Sequence, residues 1–224
     1  MSTIHYDHCP VCRSTNLEAH LKLKDYSISG EMFEIAVCNH CGFHLTQDHP
    51  DETSIGPYYQ SEEYISHSDT SRGIINRLYH LVRKIMLNRK YKLIQRYNTQ
   101  KNLLDIGCGT GYFLHHMKSN SYHVTGIEKD EEARKFATQQ FQLNVKSPGD
   151  FFQEKPNQQF DIITLWHVLE HLENLDAYME AIQQALKEDG LLVIALPNHI
   201  SMDAKIYKHY WAGYDVPRHL WHFN

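Results

Sequence analysis

The apolar positions of this 224-residue chain change period along its length. Near the N-terminus, His20-Leu21-Lys22-Leu23 and Met32-Phe33-Glu34-Ile35-Ala36-Val37 alternate between polar and apolar, the period of short, half-buried strands. From Arg72 to Tyr97, the residues Ile74, Ile75, Leu78, Leu81, Val82, Ile85, Leu93 and Ile94 fall largely at i, i+3 and i+4. That spacing predicts a long amphipathic helix, with Ser71 as its cap. Its other face carries Arg72, Arg77, Arg83, Lys84, Arg89, Lys90, Lys92 and Arg96. The expectation is a solvated basic face on a helix that packs against the following domain; membrane or phosphate binding is the alternative. Beyond it come short apolar runs separated by amphipathic segments: Leu103–Ile106, Val124–Ile127, Leu143–Lys146, Phe160–Trp166 and Gly190–Leu196. Strands that alternate with helical patterns predict an α/β fold, a Rossmann-like doubly wound sheet.

The first of these runs ends in an acid and opens into alternating glycines, Asp105-Ile106-Gly107-Cys108-Gly109-Thr110-Gly111, before the helical pattern Tyr112, Phe113, Leu114, Met117. Glycines there let a ligand lie against bare backbone. A dinucleotide site uses G-x-G-x-x-G, but the position of that third glycine is Tyr112, and the pattern is G-x-G-x-G, which argues against NAD or FAD.

This turn resembles motif I of the class I S-adenosylmethionine-dependent methyltransferases. The resemblance continues in order over roughly residues 99–199, through Val124-Thr125-Gly126-Ile127-Glu128, Gly149-Asp150-Phe151, Phe160 to Leu172, and Gly190 to Asn198. It implies S-adenosylmethionine as cofactor. Gly107, Gly109 and Gly111 would form the turn, and Asp105 would help hold the methionyl amino end. Glu128 would take the ribose diol, and Asp150 would meet the adenine amino group. Ile127 and Phe151 would flank the ring, with Trp166 and His167 beside the sulfonium.

Methyl transfer is an in-line displacement at carbon and usually needs a base for the acceptor. His167, Glu170 and His171 stand at i, i+3 and i+4 on the expected helix after the fourth strand, and are the candidate catalytic residues. The segment resembles the ubiquinone-biosynthesis O-methyltransferases, where a similar acid-rich trio can hold a divalent cation; here the first position is His. It also resembles zinc-ribbon-bearing sugar methyltransferases, where a His in this region can serve as base. Base, metal site and a structural role all stay open at this point. Tyr210, Asp215, Arg218, His219 and His222 form a second polar set, expected on the acceptor side.

Four of the five cysteines form two knuckles, Cys9-Pro10-Val11-Cys12 and Cys38-Asn39-His40-Cys41. Paired C-x-x-C motifs at this separation predict a zinc ribbon with one structural, four-thiolate zinc ion. A net charge of −5 gives no electrostatic reason to expect nucleic acid. No apolar run reaches membrane-spanning length, and the polar N-terminus does not read as a signal peptide, so the expected setting is cytoplasmic. The expected organisation is a zinc module over 1–46, a linker and amphipathic helix covering the site over 47–98, and a methyltransferase domain over 99–224. That domain shows five strands and no C-terminal hairpin, so the chain reads as truncated. The function expected is methyl transfer to a small-molecule acceptor, with a sugar or sugar nucleotide as the acceptor class. The alternatives are an RNA or protein methyltransferase that grips its substrate through the zinc module, or an inactive fragment. The sequence does not specify an oligomeric state.

Overall fold

A computed structural model describes residues 2–59 and 74–224. Glu63–His67, Ser71 and Arg72 of the expected linker and helix cap lie outside the described residues. The chain divides into two units. One comprises Met1–Asp69, Leu169–Leu175 and Leu196–Asn224, and the other Thr70–Val168 and Asp176–Ala195.

The first unit holds β1 (Thr3–Ile4), β2 (Leu17–Lys24), β3 (Met32–Cys38), β4 (His44–Gln47) and β5 (His49–Pro50). The alternating segments of the sequence are thus strands, and β2 pairs with β3 antiparallel from Leu17↔Cys38 to Lys24↔Met32. Phe33 and Ile35 on one face of β3 pack with Leu23, Tyr58 and Val216. Ala36 and Leu45 pack with Leu220 and Trp221.

The second unit begins with α1 (Ile74–Tyr97), then β6 (Asn102–Ile106), α2 (Tyr112–Ser119), β7 (His123–Ile127), α3 (Glu131–Phe141), β8 (Asn144–Lys146), α4 (Pro148–Glu154), β9 (Phe160–Trp166), α5 (Leu175–Ala185) and β10 (Leu186–Ala195). Its five strands form one parallel sheet in the order β10-β9-β6-β7-β8. Order reverses beside β6, so the glycine turn stands at the carboxyl end of the switch strand, where ligands bind in such sheets. Leu103, Ile162, Phe113, Leu114 and Met117 are buried together with Ile94 of α1.

Two expectations are corrected here. On α1 the buried stripe runs through Leu87, Tyr91 and Ile94. Leu81, Val82, Ile85 and Leu93, expected to pack inward, are 42–55% exposed. The helix is rotated from the expected phase because apolar residues occupy more than one of its faces. The tail, residues 198–224, in which the sequence shows no further strand, forms α6 (Met202–Tyr207) and β11 (Trp221–His222), which pairs antiparallel with β4. Residues 198–224, assigned on sequence to the methyltransferase domain, thus extend the sheet of the cysteine-bearing unit to the order β11-β4-β3-β2.

Candidate functional site

In the second unit the glycine turn is tied to the next strand: the N–H groups of Gly107 and Cys108 both donate to the Ile127 carbonyl, at 2.7 and 3.1 Å. Gly109 has φ +53°, and a Cβ built there would meet no described atom within 4 Å. Gly111, at φ +80°, is different. A Cβ there would stand 2.7 Å from Leu143 Cδ1 and 2.9 Å from Ala137 Cβ, so this glycine lets α3 and the following loop approach the turn. Of the three glycines of this turn, only Gly109 leaves its backbone bare toward open space.

Glu128 follows β7. Its Oε2 accepts from the Gly109 N–H at 2.7 Å and its Oε1 from the Asp130 N–H at 2.9 Å. Main-chain donors therefore fix this carboxylate beside the bare glycine, each oxygen keeping acceptor capacity for a further partner. Asp150 is exposed and stands in the first turn of α4, in a capping box with the cap residue Ser147: its Oδ2 accepts from the Ser147 hydroxyl at 2.6 Å and N–H at 3.0 Å. Those bonds to Ser147 hold its carboxyl below the usual range. Ile127 and Phe151 are buried.

Asp105 closes β6 and is 2% exposed. Burial pushes its carboxyl up to about 7, against the opposing pull of the Thr164 hydroxyl, which donates to Oδ1 at 2.6 Å, and of the Lys90 ammonium. Sequence reasoning missed Lys90 as a site residue, placing it with the solvated bases of α1. It lies three residues after Leu87 and four before Ile94, on the buried stripe. Its Nζ sits 4.2 Å above the Trp166 ring and 5.6 Å from that of Phe113. Burial lowers its pKa, partly countered by Asp105. A lysine in phase with a helix's buried residues was the signal available in the sequence. Trp166, at the end of β9, carries a buried Nε1–H with no hydrogen-bond partner among the described residues.

The expected His167–Glu170–His171 helix face does not form. His167 is exposed, with φ +58°. Leu169–His171 is a single 3-10 turn, and α5 begins only at Leu175. In the first unit, Glu170 and His171 are joined by His219 of the tail instead. One ligand atom from each of the three lies within 4.8 Å of the others, a grouping that could hold a cation. The His171 and His219 rings meet edge to face at 4.6 Å. His171 Nδ1 lies 2.9 Å from the Arg218 carbonyl oxygen and 3.2 Å from the Tyr59 hydroxyl. Burial, reinforced by His219, pushes His171 down to about 4, although Glu170 and the Arg218 carbonyl oppose the shift. Sequence reasoning did not read Tyr59 and Arg218 as partners of this histidine, because both lie far from it along the chain.

The four knuckle cysteines also converge. Cys9 Sγ lies 3.6 Å from Cys41 Sγ, and Cys12 Sγ 3.5 Å from Cys38 Sγ. Four thiolates about 2.3 Å from one zinc ion would stand about 3.8 Å apart along each tetrahedral edge. Burial raises the Cys38 thiol, but N–H groups of Cys41 and His40 outweigh it and draw it down to about 6.

Residues 78–224 match the family model described as a methyltransferase domain. The chain belongs to this family. The match spans the sheet, the glycine turn and the tail, and places the protein among the class I S-adenosylmethionine-dependent methyltransferases. Similar curated proteins include a ubiquinone biosynthesis O-methyltransferase of Glaesserella parasuis serovar 5, 35% identical over 108 residues, covering 44% of this chain and 46% of the relative. Another, from Rickettsia typhi, is 28% identical over 144 residues, covering 61% and 58%. The chain thus spans about half the length of the curated relatives it matches. A solved S-adenosylmethionine-dependent methyltransferase from Archaeoglobus fulgidus superposes with a TM-score of 0.51 at 27% identity, over 62% of this chain and 61% of that one.

Proposed function

We propose that this methyltransferase-family chain transfers a methyl group from S-adenosylmethionine to a small-molecule acceptor. The observation that carries the reading is the bare Gly109 backbone with the Glu128 carboxylate fixed beside it at 2.7 Å. When bound, S-adenosylmethionine supplies an activated methyl on a sulfonium. Gly107, Gly109 and Gly111 shape the turn that receives it, and Glu128 accepts from the ribose hydroxyls. Asp105 takes the methionyl ammonium, and Lys90 takes the carboxylate of the same head group. Asp150 meets the adenine amino group, with Ile127 and Phe151 against the ring and Trp166 and His167 toward the sulfonium.

His171 is the base in this reading. With burial holding it down to about 4, it is neutral at physiological pH and able to accept a proton, but only weakly. A sugar or sugar nucleotide is the acceptor class that the resemblance to zinc-ribbon-bearing sugar methyltransferases implies. A base this weak favours an acceptor whose proton is itself acidic: a carbon beside a carbonyl in a keto sugar or, outside the sugar class, a phenolic hydroxyl. Cys9, Cys12, Cys38 and Cys41 hold a structural zinc ion, and a cytoplasmic, reducing setting would keep these thiols available.

Calorimetry with S-adenosylmethionine and its demethylated product tests the donor site. Glu128→Ala should abolish binding of both, and wild-type protein that binds neither would refute the assignment. Labelled donor offered with keto sugars, phenols and RNA tests the acceptor; methylation of RNA with a steep salt dependence would favour the nucleic-acid reading instead. Metal analysis should give about one zinc per chain, and unchanged melting after chelation would remove the ion from the account.

A further inference from the structure

Arg218 and Asp25 form the most deeply buried ion pair among the described residues, with side chains 4% and 0% exposed. Arg218 donates through Nη2 to Asp25 Oδ1 at 3.0 Å, through Nε and Nη2 to Asp215 at 3.0 and 2.6 Å, and through Nη1 to the Tyr58 carbonyl at 2.9 Å. Asp25 closes the β2–β3 connection, taking the N–H groups of Ser27, Ile28 and Ser29. A buried pair of this kind is weak evidence for stability, since apolar residues of similar volume often do as well; what it supplies is a fixed arrangement.

The arrangement fixed here is that of the tail against the 169–172 turn. Leu220 N–H donates to the Glu170 carbonyl at 2.8 Å, and Trp221 Nε1–H donates to the Leu172 carbonyl at 2.7 Å. Between these two bonds, His171 Nδ1 meets the Arg218 carbonyl at 2.9 Å. On the tail's other edge, Thr46 donates from its hydroxyl to the His219 carbonyl at 2.7 Å and from its N–H to the Leu220 carbonyl at 2.9 Å. A carbonyl oxygen can only accept. The neutral imidazole of His171 must therefore carry its hydrogen on Nδ1, which leaves the lone pair on Nε2. Tyr58, bonded through its carbonyl to the Arg218 guanidinium, precedes Tyr59, whose hydroxyl reaches the same Nδ1.

We propose that the Asp25–Arg218 pair is the positioning device of the base: it anchors the tail so that the Arg218 carbonyl locks His171 in the Nδ1–H tautomer, with Nε2 as the atom that removes the acceptor's proton. This rests on His171 as base. In the step so served, the acceptor's proton passes to Nε2 and the freed electron pair forms the new bond to the methyl carbon. The carbon–sulfur bond breaks, and its electron pair returns to sulfur. The cysteine-bearing module then has a part in turnover through Asp25, beyond any part in gripping substrate.

The test reads the ring directly. In the zinc-loaded, 15N-labelled full chain, long-range proton–nitrogen correlation should show His171 with a protonated Nδ1 and a bare Nε2, assigned by its loss in His171→Gln. Arg218→Met and Asp25→Asn should give a mixture of tautomers, while Arg218→Lys retains most of the wild-type form. Turnover with a working acceptor should fall about tenfold or more in Arg218→Met, with donor affinity unchanged. A wild-type ring protonated on Nε2 overturns the proposal, whatever the variants do. So does a folded, zinc-retaining Arg218→Met or Asp25→Asn with the wild-type tautomer and turnover. Normal turnover in His171→Gln would instead overturn His171 as base, an outcome separate from the ring measurement.

Discussion

Replacing Asp105 by asparagine should stabilise the ligand-free protein above neutral pH while removing its affinity for the donor. In the fold this carboxyl is pushed from 3.8 up to about 7, chiefly by burial. A group whose folded pKa is raised contributes stability that is fully present below its unfolded pKa and lost as pH rises through the folded one. Between about pH 4 and 7 the wild type must therefore lose stability relative to Asp105→Asn, by about 1.4 kcal/mol per pH unit, and stay level above 7. The full displacement corresponds to about 4 kcal/mol. Asparagine keeps an oxygen for the Thr164 hydroxyl but leaves the Lys90 ammonium without its counter-charge, so the net gain expected at pH 8 is about 2–4 kcal/mol. Urea titrations of both proteins at pH 5 and pH 8 measure it, since all other titrating groups are shared and cancel in the difference. A stability difference that does not change between the two pH values would mean that Asp105 ionises as it would in water, and the reasoning from burial would fail. Donor affinity should move the other way, because the carboxylate that destabilises the free protein is the one proposed to meet the ammonium.

Gly111→Ala should destabilise the protein by about 3 kcal/mol, combining left-handed strain with overpacking against Leu143 and Ala137. Gly109→Ala should cost about 1 kcal/mol yet abolish donor binding, which melting curves and calorimetry would separate. Lys90→Met should weaken S-adenosylmethionine at least tenfold but leave 5′-methylthioadenosine, which lacks the amino-acid head, nearly unaffected; equal losses for both ligands would remove Lys90 from the carboxylate. His171, held at about 4, contributes stability above its unfolded pKa of about 6.5 that is lost as pH falls toward 4, up to about 3 kcal/mol. His171→Gln should lack that limb in acid titrations of stability, and the acid limb of the rate should lie below the range of an ordinary histidine.

The parallel strands were legible because a strand covered on both faces reads as a continuous apolar run, and the glycine turn because its residues recur at fixed spacing. The phase of α1 was not legible. Its sequence offers apolar residues on more than one face, so the period announces a helix without saying which side is buried, and Lys90 was assigned to solvent with its basic neighbours. The expected helix through His167, Glu170 and His171 is absent for a different reason. The segment has helical spacing, but the Glu170 carbonyl is taken by the N–H of Leu220, fifty residues later in the chain. Long-range bonding of this kind overrides local periodicity and leaves no mark on the segment itself. The tail was opaque for the same cause: β11 is two residues long and is defined by its pairing with β4.

Asp105 and His171 are displaced in opposite directions by one cause, and the common result is that between about pH 4 and 7 the free protein keeps both largely uncharged. Burial raises the acid and lowers the base, since in each case it disfavours the charged form. In that range a ligand would favour the charged form of each group: the donor's ammonium for Asp105, the acceptor's proton for His171. For Asp105 this has a direct signature. Below pH 7 the free carboxyl is protonated, and an arriving ammonium favours its ionised form, so donor binding must release a proton. At pH 8.5 the carboxyl is already ionised and no release is expected. Calorimetry at pH 6 in two buffers of different ionisation enthalpy should therefore give different apparent binding enthalpies, and the difference should vanish at pH 8.5. It should also vanish at pH 6 when the titrant is 5′-methylthioadenosine, which carries no ammonium. Identical enthalpies in both buffers at pH 6 with the full donor would show that Asp105 does not ionise on binding, and the methionyl amino group would have to be held elsewhere.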